Sequence, residues 1–224
     1  MRRRIVVKLG TSLLTRENGV LDREIIKRIV EELVTIQRKG NEIILVSSGA
    51  ISAGMGKLGF KRRPKTIPDL QASAAVGQSR LMHCYEEEFK KRGALTAQVL
   101  LTREDMENRT RYLNARNTLL TLLRHRVIPI VNENDTVSVD EIRFGDNDIL
   151  SALVSIKLEA DLLILLTDVD GLYKTRPVLK RDSELIRRVD AITPEIESFA
   201  GQPGDSCSCL LYTSDAADEL DGVD

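Results

Sequence analysis

Ile5-Val6-Val7-Lys8-Leu9-Gly10-Thr11-Ser12 decides the reading of this chain. Three branched apolar residues make a strand-like run that is broken first by a lysine and then by a small, polar turn. Two further segments repeat the plan: Ile43-Ile44-Leu45-Val46 runs into Ser47-Ser48-Gly49-Ala50, and Val127-Ile128-Pro129-Ile130-Val131 runs into Asn132-Glu133-Asn134-Asp135. In an open α/β sheet, ligands bind in the crevice beyond the carboxyl ends of the strands. Three strands are thus expected to deliver a cation, hydroxyls, amides and carboxylates to one sheet edge.

Working outward, strand-like runs fall at 4–9, 42–47, 94–100, 127–131 and 161–167, separated mostly by segments of helical period. Ile25, Ile26, Ile29, Val30 and Leu33 form one apolar stripe, opened by Asp22 as N-cap and closed by Gly40. Further helices are predicted over about 68–91, from a Thr102 cap, and over 112–124 and 146–158. The continuous Leu/Ile run at 162–166 predicts a strand buried on both faces. Strands alternating with helices define a three-layer α/β/α sandwich around a mostly parallel open sheet.

Composition narrows the function. With 33 basic and 34 acidic residues the net charge is −1, which gives no electrostatic reason for a nucleic-acid or membrane partner. The apolar stretch near the start stops at Lys8, too short for a signal peptide, and no run approaches the ~20 residues that span a bilayer. Cys84, Cys207 and Cys209 make no disulfide framework, so a cytoplasmic setting is expected. Gly54-Met55-Gly56-Lys57-Leu58-Gly59 fits G-x-G-x-x-G, but it follows a helical turn, with no ribose-binding acid about 20 residues on. The basic run at 61–65 reads as a loop.

A lysine inside an apolar strand is costly unless its ammonium meets a partner, so Lys8 reads either as a cation aimed at phosphate or as a snorkelling surface residue. Gly10 lets the backbone approach a phosphate closely. Ser48 and Gly49 sit at a strand-to-helix turn, where free N–H groups either hold an anion or are simply capped. Gly145-Asp146-Asn147-Asp148 reads as helix capping, as recognition of an ammonium group, or as a hold on the catalytic lysine. Thr167 and Asp168 end a strand where a nucleotide contact is conceivable.

In order along the chain, V-V-K-L-G-T-S at 6–12, S-S-G-A-I at 47–51, A-A-V-G-Q-S-R-L at 74–81, Y-L-N-A-R-N-T at 112–118, N-E-N-D at 132–135, G-D-N-D at 145–148 and L-L-T-D-V-D-G-L-Y at 165–173 resemble the amino acid kinase family. They are most similar to its glutamate-phosphorylating branch. The resemblance implies ATP-dependent phosphorylation of the side-chain carboxylate of L-glutamate, with Mg²⁺, in the first step toward proline. It implies that Lys8 contacts the transferring phosphoryl group. Ser48, Gly49, Asp135 and Asn147 would bind substrate, and Gly10, Thr167 and Asp168, with Lys8, the nucleotide. Asp146 and Asp148 would orient substrate or Lys8, and no protein-held metal is implied. Proline as feedback inhibitor and a homo-oligomer are further implications. Members acting on acetylglutamate, aspartate, carbamate or a nucleoside monophosphate are the alternatives, as is a glutamate- or proline-binding fragment without catalysis. The matching strings span a kinase domain over 1–201. Residues 202–224 depart from the family's Gly-rich G-x-G-G-M-x-T-K continuation, and are expected to be a disordered or artefactual tail leaving the nucleotide side impaired.

Overall fold

The computed structural model describes residues 2–16, 20–137, 146–168, 170–174 and 184–199. The expected segment 202–224 lies outside them. Five strands form one parallel sheet: β1 (Arg4–Leu9), β2 (Glu42–Ser47), β3 (Thr96–Leu101), β4 (Ile128–Glu133) and β5 (Leu162–Leu166). Their spatial order is β3-β4-β2-β1-β5. Register pairs Leu9 with Ser47 on one side and with Leu166 on the other, so the strands finish level with one another. The chain leaves β1 toward β2 and returns to its far side as β5, which makes the end of β1 the point where strand order reverses.

Helices cover both faces. On one lie α1 (Thr11–Leu14), α2 (Arg23–Arg38) and α4 (Ile67–Lys91); on the other lie α5 (Arg103–Glu107), α6 (Arg109–Arg124) and α7 (Asp146–Lys157). Strand side chains alternate between the layers. Ile5, Val7, Leu9, Ile43, Leu45, Ile128 and Ile130 pack with Val30, Leu81, Tyr85 and Phe89 from α2 and α4. Val6, Ile44, Val46 and Val131 pack with Leu119, Leu123, Leu150 and Val154 from α6 and α7. That parity sends Lys8 to the α7 side and Ser47 to the α4 side.

The helix starts follow the capping chemistry read from sequence. Asp22 accepts hydrogen bonds from the backbone N–H groups of Glu24 and Ile25. Thr102 and Asp105 form a reciprocal capping box at α5. Thr66 caps α4, which begins at Ile67, one residue ahead of the predicted start.

A short helix, α3 (Ala50–Met55), crosses α4 at very close range. A methyl added to Gly54 would come 1.9 Å from the Ser73 carbonyl oxygen, and one on Gly77 1.7 Å from that of Ala50. Gly54 is therefore a helix-packing glycine, whereas a Cβ on Gly56 would meet nothing within 4 Å.

One expectation is corrected. Among the described residues β5 is an edge strand, its side chains only half-buried and Leu162 exposed. Its unbroken apolar run follows from pairing beside β1 and packing of Ile164, Leu166 and Leu163 on the two cores, while its outer edge has no described strand beside it. Two small pieces complete the description: the antiparallel pair β6 (Leu172–Tyr173) with β7 (Leu185–Ile186), and α8 (Pro194–Ser198).

Candidate active site

Lys8 lies in the inner strand β1, between β2 and β5, and is 5% exposed, so the snorkelling alternative is excluded. Its Nζ lies 2.5 Å from Oδ1 of Asp148, also 5% exposed, in the second residue after the start of α7. Asp148 Oδ1 has no hydrogen bond of ordinary geometry, so the contact is an off-axis charge pair rather than an aligned bond. Two buried opposite charges offset each other's lost hydration; either alone would be expensive. Gly10 stands over this pair: its own N–H bonds to the Leu166 carbonyl at 3.0 Å, and an added Cβ would lie 3.7 Å from Lys8 Nζ. With hydrogen there instead, the ammonium is not roofed by a side chain.

Next to this pair, Asn147 reaches the ends of two other strands. Its Nδ2 donates to Ser48 Oγ at 2.9 Å and to Asn132 Oδ1 at 3.0 Å. Asn132 Oδ1 also accepts the backbone N–H of Glu133 at 2.9 Å, and Asn132 Nδ2 donates to Gln78 Oε1 on α4 at 2.7 Å. Four side chains from four elements thus form one polar string: Ser48, Asn147, Asn132 and Gln78. Gly49 closes the strand-to-helix turn with φ +100, a left-handed conformation that glycine adopts without Cβ strain. Ser48 N–H donates to the Leu9 carbonyl at 3.1 Å, fastening that turn to the end of β1.

Beneath the string, Ser47 Oγ lies 2.8 Å from the Tyr85 hydroxyl, fully buried. Burial pushes the Tyr85 phenol well above its ordinary value, so it is neutral at physiological pH. Asp135, two residues past β4, is half-buried, and desolvation pushes its carboxyl up to about 6, with the Arg63 guanidinium opposing the shift.

The structure therefore brings together Lys8, Gly10, Ser48, Asn147 and Asp148. Thr167 is half-buried one residue beyond Leu166, and Asp168 is exposed, its Oδ1 accepting from the Thr167 hydroxyl at 3.0 Å. They share the strand-end edge with Gly10, whose N–H bonds to the carbonyl of Leu166 next to Thr167. Asp146 opens α7, and its side chain lies outside the described residues. Gln78, Asn132 and Tyr85 carry no individual site signal in the sequence: Gln78 stands inside a matching string, Asn132 in a polar cluster, and Tyr85 on the apolar face of the 68–91 helix. Gln78 comes directly after Gly77, where α4 comes closest to α3. Among the described residues no group of three or more His, Cys, Asp or Glu comes together to hold a metal. A cavity of about 330 Å³ bounded by Arg2, Glu42, Arg124 and Arg126 lies at the opposite ends of the strands, away from Lys8.

A buried lysine at the reversal point of a parallel sheet, paired with a carboxylate of α7 and set beside amides of α7 and β4, is an arrangement suited to an anionic ligand. The chain belongs to the amino acid kinase family, whose profile matches residues 3–202.

Within that family it is similar to curated proteins named glutamate 5-kinase. It is 55% identical over 206 residues to that of Moorella thermoacetica, covering 92% of this chain and 54% of the relative. It is 54% identical over 200 residues to that of Clostridium tetani, covering 89% and 75%. The chain thus spans about half the length of the Moorella protein. Two solved structures share the fold: isopentenyl phosphate kinase, with TM-score 0.58 at 19% identity over 84% of this chain and 81% of that one, and aspartate kinase from Synechocystis, with TM-score 0.54 at 15% identity over 82% and 31%.

Proposed function

We propose that this chain carries the glutamate-binding and phosphoryl-transfer centre of an ATP-dependent kinase that converts L-glutamate to γ-glutamyl phosphate, the first step of proline synthesis. The single observation that carries the reading is the buried Lys8–Asp148 pair set beside Asn147 and Ser48. Relatives named glutamate 5-kinase at 50–55% identity support the choice of substrate.

The chemistry needs no general base. A glutamate side chain has an unperturbed pKa of ~4.3 and is already ionised at neutral pH. The difficulty is bringing one anion to a polyanion. Lys8 supplies a fixed cation where charge shifts during transfer, and Asp148 holds that cation in place in a site poor in water. Asn147, Ser48 and Asp135 hold the acceptor, so that attack is close to in-line. Thr167, Asp168 and Gly10 line the edge assigned to the nucleotide. Magnesium supplies charge neutralisation when it arrives with the nucleotide phosphates; the described donor set fits that better than a protein-built cage.

A second reading is that glutamate or proline is held without transfer. It is favoured by the contrast between the buried substrate side and the half-exposed β5 with its exposed Asp168. A cytoplasmic, homo-oligomeric enzyme inhibited by proline completes the proposal; among the described residues no helix is long and apolar enough to cross a membrane.

Incubating the chain with ATP, Mg²⁺ and L-glutamate, and trapping the acyl phosphate with hydroxylamine, tests the reading. Glutamate-dependent hydroxamate and ADP in equal amounts are expected. Glutamate binding without turnover would select the second reading, and absence of both would refute the assignment.

A further inference from the structure

The carboxamides of Gln78, Asn132 and Asn147 form a relay whose polarity is not free to choose. The backbone N–H of Glu133 can only donate, so the atom of Asn132 that faces it at 2.9 Å must be Oδ1. Asn132 therefore turns its NH₂ group toward Gln78, which must answer with Oε1. The same Asn132 Oδ1 also faces Asn147, which must answer with Nδ2. One peptide group thus orients three side chains in turn. What remains at the two ends of the relay is a buried Gln78 Nε2 and a buried Asn147 Oδ1, neither with a hydrogen-bond partner among the described residues.

Buried polar atoms without partners are rare, and each one costs stability. Here the two differ in kind and are set apart by the relay: an unused donor at one end, an unused acceptor at the other. A ligand that completes both offers an acceptor to Gln78 and a donor to Asn147. The carboxylate and ammonium of an α-amino acid are that pair. Asn147 adjoins Asp148 and, through it, Lys8, whereas Gln78 lies at the far end of the string. The group read by Gln78 is therefore the one remote from the transfer.

We propose that Gln78 is a specificity-determining residue, whose amide NH₂ donates to the α-carboxylate of the amino-acid substrate while Asn147 Oδ1 accepts from its α-ammonium. The proposal rests on the glutamate reading above and adds how the head group is told from other dicarboxylates and amines.

Three ligands separate the two ends: L-glutamate, 4-aminobutyrate, which lacks the α-carboxylate, and glutarate, which lacks the amino group. Each is titrated calorimetrically into the full chain and into Gln78→Glu and Gln78→Met. Gln78→Glu keeps an acceptor for Asn132 and turns the free donor into an acceptor; Gln78→Met removes the donor without adding charge. Loss of one hydrogen bond to a charged group should weaken glutamate and glutarate roughly 10- to 100-fold in both variants. Binding of 4-aminobutyrate should remain within about threefold of the unsubstituted chain, which also reports an intact site. An unchanged ratio of glutamate to 4-aminobutyrate affinity in the variants overturns the proposal. An equal loss of all three ligands also overturns it, because it marks Gln78 as structural only. If the unsubstituted, folded chain binds none of them, the glutamate reading itself fails and this inference with it.

Discussion

The ammonium of Lys8 and the carboxylate of Asp148 meet at 2.5 Å, each 5% exposed, across the junction of strand β1 and the helix α7 packed on it. The pair ties the element that carries the proposed phosphate-contacting cation to the element that carries Asn147. Loss of either partner leaves the other buried without a counter-charge.

Lys8→Met and Asp148→Asn should each destabilise the fold by about 3–5 kcal/mol, and the double variant by less than the sum of the two. Urea titration of the three variants checks this through their midpoints. Additive losses would show that the two groups are energetically independent. On the proposed function, both single variants also lose turnover by at least ~100-fold.

Asp135 gives a pH signature. Its carboxyl is pushed up to about 6 in the folded chain, above its ordinary 3.8. Between those values the folded state holds more protons than the unfolded one, so this group favours folding at low pH. That contribution fades as pH rises through about 4 to 6. Asp135→Asn should flatten that part of the stability profile, measured as thermal midpoint against pH. Glutamate affinity should move the opposite way in the unsubstituted chain, rising toward pH 7 as Asp135 ionises and can face the substrate ammonium. A flat affinity profile over that window would remove Asp135 from the substrate site.

Gly77→Ala tests the helix crossing. Its methyl would fall 1.7 Å from the Ala50 carbonyl oxygen, against backbone rather than a flexible side chain. The expected loss is at least ~2 kcal/mol, since α3 must move away from α4. Circular-dichroism melting measures it, and a midpoint equal to that of the unsubstituted chain would contradict the close crossing.

Tyr85→Phe removes one partner of the buried Ser47 hydroxyl, which keeps its bond to the Ser48 carbonyl at 3.1 Å. A loss of about 1 kcal/mol is expected, or about 2–4 °C in midpoint for a chain of this size. A shift several times larger would mean that the turn carrying Ser48 is itself held by the phenol.

Local chemistry made much of this fold legible. β1 and β2 fall at 4–9 and 42–47 as read, because branched apolar runs ending in polar turns have few other solutions in an α/β chain. Asp22 and Thr102 mark helix starts through bonds that depend only on residues within one turn. The reading of 162–166 failed on burial because an unbroken apolar run records neighbours above and below, not whether a strand lies beside it. In the site, Lys8 stood out because a cation interrupts an apolar strand. Gln78 and Tyr85 did not, since each is an ordinary helix residue in sequence. They belong to the site only because α4 lies against the ends of β4 and β2, which is a tertiary relation.

The alternation of strand side chains between the two helical layers has a consequence for how this segment can drift. Inserting or deleting one residue between Arg4 and Lys8 would rotate the ammonium to the opposite layer, among Val30, Leu81 and Phe89 and away from Asp148. Spelling within β1 is thus negotiable among branched apolar residues, whereas its length is not.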